Sequence, residues 1–261
     1  MNRNTSGQTP RQTLFDLDIA AVNYHETVSL LCDSIEQPDQ GAKVVVTPNV
    51  DHLVQLDKNP ELKTFYAEAD FIFADGMPVI WASKLLKKPL PERVTGADLF
   101  VSICEQGQKK HWQMVLIGGR PGEEDMLASR FAQYFPGLSI RIISPPMGFD
   151  PYGTEAEAIA QTIRQIQPQV VFVCLGFPKQ ERWALRYAAT FNRGLVLCVG
   201  AAAEFALGLQ KRAPLWMQKS GLEWLWRLLS NPKQLWRRYL LDDPYFLLLV
   251  WQAWRQQKKQ R

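Results

Sequence analysis

An aspartate closes an apolar stretch in the segment FIFADGMP, at residues 71–78. The residues before Asp75 have the composition of a buried strand, and Gly76 after it allows the chain to turn away sharply. A carboxylate in this place either caps the next turn or faces a cleft, where it can accept a proton from a hydroxyl group as a general base. Capping is the simpler interpretation of an isolated aspartate, so the choice depends on the residues around Asp75.

Other polar residues lie close to the ends of apolar stretches. Thr47 and Asn49 close the strand-like sequence AKVVVTPN, and Arg93 comes directly before VTGADL. An arginine in this position can bind a phosphate through two parallel hydrogen bonds. The alternative is an ion pair between Arg93 and Asp98 at the start of a helix.

Two glycine-containing turns follow predicted strands and are candidates for binding a nucleotide. Gly118 and Gly119 precede a helix-like stretch, an arrangement that brings backbone N–H groups close to a phosphate. Gly200 begins a second turn of this kind, with Glu204 placed to accept hydrogen bonds from ribose hydroxyls. Neither turn has the complete GxGxxG or P-loop spacing. The alternative for both is an ordinary turn that glycine makes possible.

The segment GFPKQE at residues 176–181 also comes directly after a predicted strand. Glycine and proline place Gln180, together with its two charged neighbours, at the start of the following helix. Gln180 is therefore a candidate binding residue, and a capped helix start with solvated charges is the alternative.

The sequence offers little for a metal ion. The pattern DLD at residues 16–18 resembles the metal-binding DxD of many sugar transferases, but it lies between apolar residues near the start of the chain. The four cysteines occur singly and the three histidines are far apart, so we expect neither a zinc site nor a disulfide framework.

Apolar segments of strand length alternate with helix-like stretches along the chain. The predicted strands are 42–49, 70–76, 112–119, 139–145, 169–176 and 194–201, and the predicted helices are 58–69, 97–110, 122–135, 154–166 and 179–192. Continuous apolar strands are typical of parallel sheets that helices cover on both faces. The pattern predicts an α/β fold, a Rossmann-like and mostly parallel sheet. The polar residues at the strand ends are then expected to meet along one edge.

Charge and tryptophan are concentrated at the end of the chain. Residues 211–261 contain eleven Lys or Arg, three acidic residues and six of the nine tryptophans, which gives this tail a net charge of +8. We predict a flexible arm at 1–12, an α/β domain at 13–210 and a helical, basic, Trp-rich appendage at 211–261. The polar N-terminus has no apolar stretch that would indicate a signal peptide, and we expect a reducing, cytoplasmic location.

The tail has the composition of a helix that lies on a membrane surface. Tryptophan and basic residues suit the interface with anionic lipid, and the apolar segment YFLLLVWQAW is, at roughly 15 Å, too short to cross the ~30 Å core. One alternative is that these aromatic residues cover the α/β core. Nucleic acid is a second possible partner for a basic aromatic surface, but the apolar run favours lipid.

The order of the motifs along the chain is also informative. They are TPN at 47–49, ADGMPVIWA at 74–82, RVTGADL at 93–99, GG at 118–119, LGFPKQE at 175–181, VG to KRAP at 199–214 and GLEWLWRLLSNPKQLWRRYL at 221–240. This set resembles the WecG/TagA/CpsF family of glycosyltransferases from about residue 12 to residue 240. Its members are metal-independent, inverting transferases that move a sugar, often N-acetylmannosamine or its uronic acid. They transfer it from a UDP-sugar to a polyprenyl-diphosphate-linked acceptor on the cytoplasmic membrane face.

The resemblance implies roles for individual residues. Asp75 matches the general base, with Thr47 and Asn49 beside it, and Arg93 and Gln180 match further pocket residues.

The turn after Val199 matches the nucleotide-binding segment with one departure, because Ala203-Glu204 stands where the family commonly has Phe-Asp. Without a metal ion, the leaving UDP requires backbone N–H groups and cations, for which Arg227, Arg237 and Arg238 are candidates. The resemblance further implies peripheral binding to the inner face of the plasma membrane and self-association into a homo-oligomer.

Several alternatives stay open from the sequence. The donor can be another nucleotide sugar such as UDP-glucose, used in exopolysaccharide synthesis. A nicotinamide-dependent oxidoreductase is disfavoured by the incomplete glycine motifs and by the lack of a histidine pair. A non-catalytic, membrane-associated, nucleotide-binding scaffold is disfavoured because the candidate pocket residues are all present.

Overall fold

The computed structural model describes residues 9–37 and 41–259. The chain begins with an antiparallel hairpin, and all six predicted strands then form one sheet. The strands are β1 (Arg11–Leu14), β2 (Leu17–Ala20), β3 (Lys43–Val46), β4 (Phe71–Ile72), β5 (Gln113–Gly118), β6 (Ser139–Ile143), β7 (Val170–Cys174) and β8 (Leu195–Cys198). The sheet has the order β4-β3-β8-β7-β5-β6, and every pairing in it is parallel. The predicted α/β, Rossmann-like fold is confirmed.

Helices cover both faces of this sheet, as continuous apolar strands require. Before the tail they are α1 (Tyr24–Glu36), α2 (Val50–Lys58), α3 (Pro60–Tyr66), α4 (Met77–Leu85), α5 (Gly96–Lys110), α6 (Glu124–Tyr134), α7 (Thr154–Ile166), α8 (Lys179–Tyr187) and α9 (Ala202–Ala206). One buried apolar layer contains α2, α3, α4, α7 and α8, and the opposite layer contains α1, α5, α6 and α9.

The helix predictions are correct for α5, α6 and α7 within two residues at each end. The single helix predicted over 58–69 is wrong at its start, because α2 ends at Lys58 and α3 begins at Pro60. Proline has no N–H to continue α2 but is favourable in the first turn of a new helix. The helix predicted over 179–192 ends early, since α8 ends at Tyr187 and a 3₁₀ turn follows.

The hairpin β1–β2 was not predicted. Its turn is formed by Phe15 and Asp16, which have φ angles of 53° and 61° without being glycine. The two aspartates of the DLD pattern have protein partners, because Lys63 donates to Asp16 over 2.6 Å and Thr13 donates to Asp18 over 2.7 Å. Within the described ranges, no group of three or more His, Cys, Asp or Glu side chains has metal-binding geometry.

The predicted flexible arm at 1–12 lies mostly outside the described residues. Of its last residues, Arg11 and Gln12 belong to β1. The Arg11 guanidinium also donates to the backbone carbonyl of Asp70 over 2.9 Å, which fastens the hairpin beside β4.

The tail is mostly helical from Leu215 onward in its described part. It comprises α10 (Leu215–Lys219), α11 (Glu223–Ser230), α12 (Pro232–Arg237), a π-helical turn at Arg238–Asp242 and α13 (Tyr245–Lys259). Phe246, Leu249 and Val250 of α13 are buried against the α/β core, and the Phe246 ring lies 5.4 Å from that of Phe15. None of the helices described is long and apolar enough to cross a bilayer.

Candidate functional site

Two neighbouring strands, β3 and β8, lead to opposite faces of the sheet at their carboxyl ends. After β3 the chain continues into α2 on one face of the sheet, and after the adjacent β8 it continues into α9 on the other face. In open α/β sheets, ligands bind where neighbouring strands diverge in this way. Gly96 at the start of α5 packs closely over these strand ends, since a Cβ on it would lie 3.1 Å from the Thr47 hydroxyl and 3.3 Å from Val199.

Asp75 lies at the same edge of the sheet, three residues after β4 ends. Its backbone N–H donates to the carbonyl of Pro48 over 3.0 Å, while Val94 donates to the carbonyl of Ala74 over 2.9 Å. These bonds place Asp75 between the loop that carries Asn49 and the loop that carries Arg93. Gly76 is the N-cap of α4, at φ 107°, and no side chain caps that helix. The capping interpretation of Asp75 is therefore wrong.

The environment of Asp75 favours a protonated carboxyl group. Burial, and then the negative charge of Glu223, raise its pKa to about 7, against the opposing effect of three arginines, Arg227, Arg93 and Arg212. A carboxyl group with a pKa close to neutrality is suited to take up a proton during a reaction.

Asp75 lines a cavity of about 390 Å³. Its walls come from the loops after β3 and β4 and from the tail. The polar residues that line it are Asn49, Asp75, Arg93, Glu223, Arg227, Arg238, Tyr239 and Asp243. Five predicted site residues, Asn49, Asp75, Arg93, Arg227 and Arg238, thus come together around one space.

Arg93 binds the tail rather than Asp98. Its guanidinium donates to Glu223 over 3.2 Å and to the side-chain oxygen of Gln218 over 3.3 Å. Glu223 also lies 3.7 Å from the Nε atom of Arg227, one turn further along α11. The Arg93–Asp98 alternative is therefore wrong, and a chain of opposite charges joins the core loop to the first turn of α11.

Asp98 instead pairs with Arg212, a residue that the sequence analysis did not assign. Arg212 donates to both carboxylate oxygens of Asp98 and, over 3.3 Å, to the hydroxyl of Thr95, the N-cap of α5. These hydrogen bonds from the Arg212 guanidinium hold the start of the tail against the N-terminus of α5. The KRAP sequence was noted as part of a motif, but no local pattern indicated its partner.

Asn49 has two structural partners. Its side-chain oxygen caps α2 by accepting from the His52 N–H over 3.2 Å, and it accepts from Arg238 over 3.3 Å. The Nε atom of Arg238 lies 3.5 Å from Asp51 in the same helix. Arg238 is therefore held over the end of β3 by the first turn of α2.

Gln180 is a buried framework residue, only 2% exposed. Its side-chain oxygen accepts from the Gly200 N–H over 3.0 Å, and its amide donates to Glu181 over 2.8 Å. Burial raises the pKa of Glu181 to about 7. Gln180 thus fixes the glycine turn after β8, and the interpretation as solvated charges is wrong for this pair.

The remaining predicted residues lie outside the cavity. Thr47 is buried at the end of β3, and Gly118 and Gly119 pack closely, because a Cβ on either would meet Cys174 at 2.8 Å or Leu127 at 2.6 Å. Glu204 on α9 and Arg237 at the end of α12 are exposed.

Comparison with known proteins identifies the family of this chain. The profile of the glycosyl transferase WecG/TagA/CpsF family matches residues 12–260. An N-acetylglucosaminyldiphosphoundecaprenol N-acetyl-beta-D-mannosaminyltransferase of Bacillus spizizenii is 33% identical over 201 residues, covering 77% of this chain and 76% of that protein. The Staphylococcus aureus (strain MW2) protein of the same name is 28% identical and covers 95% of this chain and 97% of its own. The chain belongs to the WecG/TagA/CpsF family and is a glycosyltransferase.

Proposed function

We propose that this protein transfers an N-acetylmannosamine-like sugar, with inversion, from a UDP-sugar to a polyprenyl-diphosphate-linked saccharide during cell-surface polysaccharide synthesis. The observation that carries the proposal is Asp75 beside a group of arginines in one cavity. The names of the relatives support the acceptor class, because those enzymes act on an N-acetylglucosaminyl-diphosphoundecaprenol. Family membership removes the oxidoreductase alternative.

In this mechanism Asp75 takes the proton from the acceptor hydroxyl as its oxygen attacks the anomeric carbon. The new glycosidic bond forms while the bond between that carbon and the UDP oxygen breaks on the opposite side, which inverts the configuration. The proton leaves Asp75 for solvent after UDP departs. A positioned general base contributes roughly 10²–10⁴-fold to such a step.

The leaving diphosphate gains its stabilisation from cationic side chains in place of a metal ion. Arg93, Arg227 and Arg238 line the cavity that contains Asp75. Guanidinium groups bind phosphate oxygens through pairs of hydrogen bonds, and such contacts are strong where water is largely excluded. Arg237, one residue before Arg238, is exposed and does not line this cavity.

The tail gives the enzyme a peripheral site on the cytoplasmic face of the plasma membrane. Large apolar side chains are exposed along it, including Trp216, Leu229, Trp236, Leu240 and Leu241. Basic residues lie between them, so that the surface suits an anionic bilayer.

The test is turnover of a donor panel with GlcNAc-diphosphate-undecaprenol in vesicles containing an excess of chelator. UDP-ManNAc, its uronic acid, UDP-GlcNAc and UDP-glucose form the panel, and NMR gives the anomeric configuration of the product. We expect UDP release and a β-linked product with an N-acetylmannosamine-type donor. Preference for UDP-glucose would replace the donor, whereas no turnover of any UDP-sugar would overturn the proposal in favour of a scaffold.

A further inference from the structure

The cavity around Asp75 has two chemically different sides. The polar side carries the catalytic carboxylate and the arginines already described. The other side is apolar and comes from the first turns of three helices, with Met77 and Pro78 from α4, Trp224 from α11, and Phe246 and Leu247 from α13. The transfer reaction itself does not use these apolar side chains.

The apolar side continues from the cavity to the protein surface. Phe246 is buried, with only 5% of its surface exposed, while Trp224 is 39% and Leu247 is 74% exposed. An apolar path therefore begins beside Asp75 and ends at the exposed Leu247.

The position of this path relative to the charged groups indicates its occupant. Met77 and Pro78 follow Asp75 and Gly76 directly, so the apolar wall starts within one helical turn of the reacting carboxylate. A ligand bound across the cavity must then be anionic at one end and hydrocarbon at the other. A sugar nucleotide has no hydrocarbon portion, whereas a prenyl diphosphate has both.

We propose that the wall formed by Met77, Pro78, Trp224, Phe246 and Leu247 binds the isoprene units nearest the diphosphate of the lipid acceptor. This inference rests on the acceptor class of the proposed function. The acceptor diphosphate lies at the boundary between the apolar wall and the arginine side, next to the leaving diphosphate of the donor, and the acceptor sugar reaches Asp75. The cavity, at about 390 Å³, is at the lower end of small-molecule sites, so the rest of a long prenyl chain leaves past Leu247 toward the bilayer.

A prenyl subsite makes a prediction that membrane binding alone does not. Partition into a bilayer favours long-chain acceptors whatever the shape of the site. In solution without bilayer or detergent, only direct burial of the first isoprene units can lower KM. Each methylene-sized group removed from water corresponds to about a fourfold gain in affinity.

The experiment measures KM of the full-length enzyme in vesicle-free buffer for GlcNAc-diphosphate esters with methyl, dimethylallyl and geranyl groups, below their aggregation concentrations. We expect KM to fall at least tenfold from methyl to geranyl for the wild type. Leu247→Ser and Trp224→Ser should each reduce that ratio to threefold or less. Leu229→Ser is the matched control, since Leu229 is a 70% exposed tail leucine outside the cavity lining and should keep the wild-type ratio.

A wild-type KM that does not depend on the prenyl group would overturn the subsite while leaving the transferase function intact. Equal loss of the chain-length dependence of KM in Leu229→Ser and Leu247→Ser would also overturn it, because the dependence would then not come from the cavity wall. No transfer to any of these esters or to the full-length lipid acceptor would instead contradict the acceptor class, and the subsite with it.

Discussion

The carboxylate of Glu223 lies 3.2 Å from the guanidinium of Arg93, although the two residues are 130 positions apart in the chain. Arg93 belongs to the loop next to Asp75, and Glu223 belongs to the first turn of α11 in the tail. The tail is therefore part of the wall of the cavity beside Asp75 as well as a candidate membrane contact. The pair also brings a negative charge close to the proposed base.

Replacement of Glu223 by glutamine should shift the acidic limb of the pH–rate profile. The Glu223 charge is the largest influence after burial that raises the pKa of Asp75 to about 7, and three arginines oppose it. With the charge removed, the arginines lower the pKa of Asp75, so the base is ionised at lower pH. The limb of kcat/KM against pH should move to lower pH in Glu223→Gln, while glutamine preserves a hydrogen-bond acceptor for Arg93. An unchanged limb, or a move to higher pH, would show that Glu223 does not set the ionisation of the base.

Replacement of Asp75 by asparagine should stabilise the fold at alkaline pH. The folded protein has a pKa of about 7 at Asp75, above the ordinary value of 3.8. Between these values the folded state retains a proton that the unfolded chain releases, so this group makes the free energy of unfolding decrease as pH rises from about 4 to about 7. Asp75→Asn removes this decrease in the free energy of unfolding, which is on the order of 1–3 kcal/mol because the Asp75 side chain is partly exposed.

Urea unfolding at pH 4 and pH 8 measures this effect. The two proteins should have equal stability at pH 4, and the variant should be the more stable at pH 8. Asp33→Asn, an exposed position on α1, is the control and should show no such pH-dependent gain. A variant that is less stable than the wild type at pH 8 would mean that Asp75 is held by favourable contacts in its charged form.

Loss of Arg212 should destabilise the junction between the core and the tail. Its guanidinium donates hydrogen bonds to Asp98 and Thr95 at the start of α5. A hydrogen bond to a charged group contributes about 1.5–3 kcal/mol to the free energy of unfolding. Arg212→Ala should lower the free energy of unfolding by about 1–3 kcal/mol. Arg237→Ala, at an exposed position, should change it by less than about 0.5 kcal/mol. Similar values for the two variants would contradict the assigned role of Arg212.

Membrane binding by the tail should depend on its exposed leucines. Deletion of the whole tail is a poor test, because Phe246, Leu249 and Val250 would leave the core. The double change Leu240→Ser and Leu241→Ser, at side chains 55% and 61% exposed, should reduce binding to anionic vesicles at least tenfold in flotation. Met147→Ser, 84% exposed on the α/β domain, is the control. Unchanged flotation of the double variant would exclude this surface as the membrane contact.

The sheet was predictable because its strands are continuous apolar segments bounded by glycine or polar residues. The elements that were missed carry weaker local signals. The turn of the hairpin β1–β2 uses Phe15 and Asp16 at positive φ, which their residue types do not indicate. Helix α4 buries Val79 and Ile80 but exposes Trp81 and Leu85, so its apolar residues do not form one stripe.

The site was predictable only where it depends on strand ends. Asp75 and Asn49 follow neighbouring parallel strands, and the sheet order makes them neighbours in space. The contacts from Arg93 to Glu223 and from Arg212 to Asp98 join residues more than 100 positions apart, and no periodicity in the sequence reports such pairs. Gln180 was predicted as a binding residue at the end of a strand. Its hydrogen bond from the Gly200 N–H shows that it supports the turn after β8.

The most direct test of the account is the single-turnover rate of sugar transfer by Asp75→Asn beside the wild type and Asp33→Asn. Each protein is saturated at pH 8 with the UDP-sugar that the wild type uses in the donor panel and with the lipid-linked GlcNAc acceptor. The account predicts a rate 10²–10⁴-fold lower for Asp75→Asn alone, with donor binding retained, because the protein would lack its base. A rate within threefold of the wild type would contradict the assignment of Asp75 and the mechanism built on it.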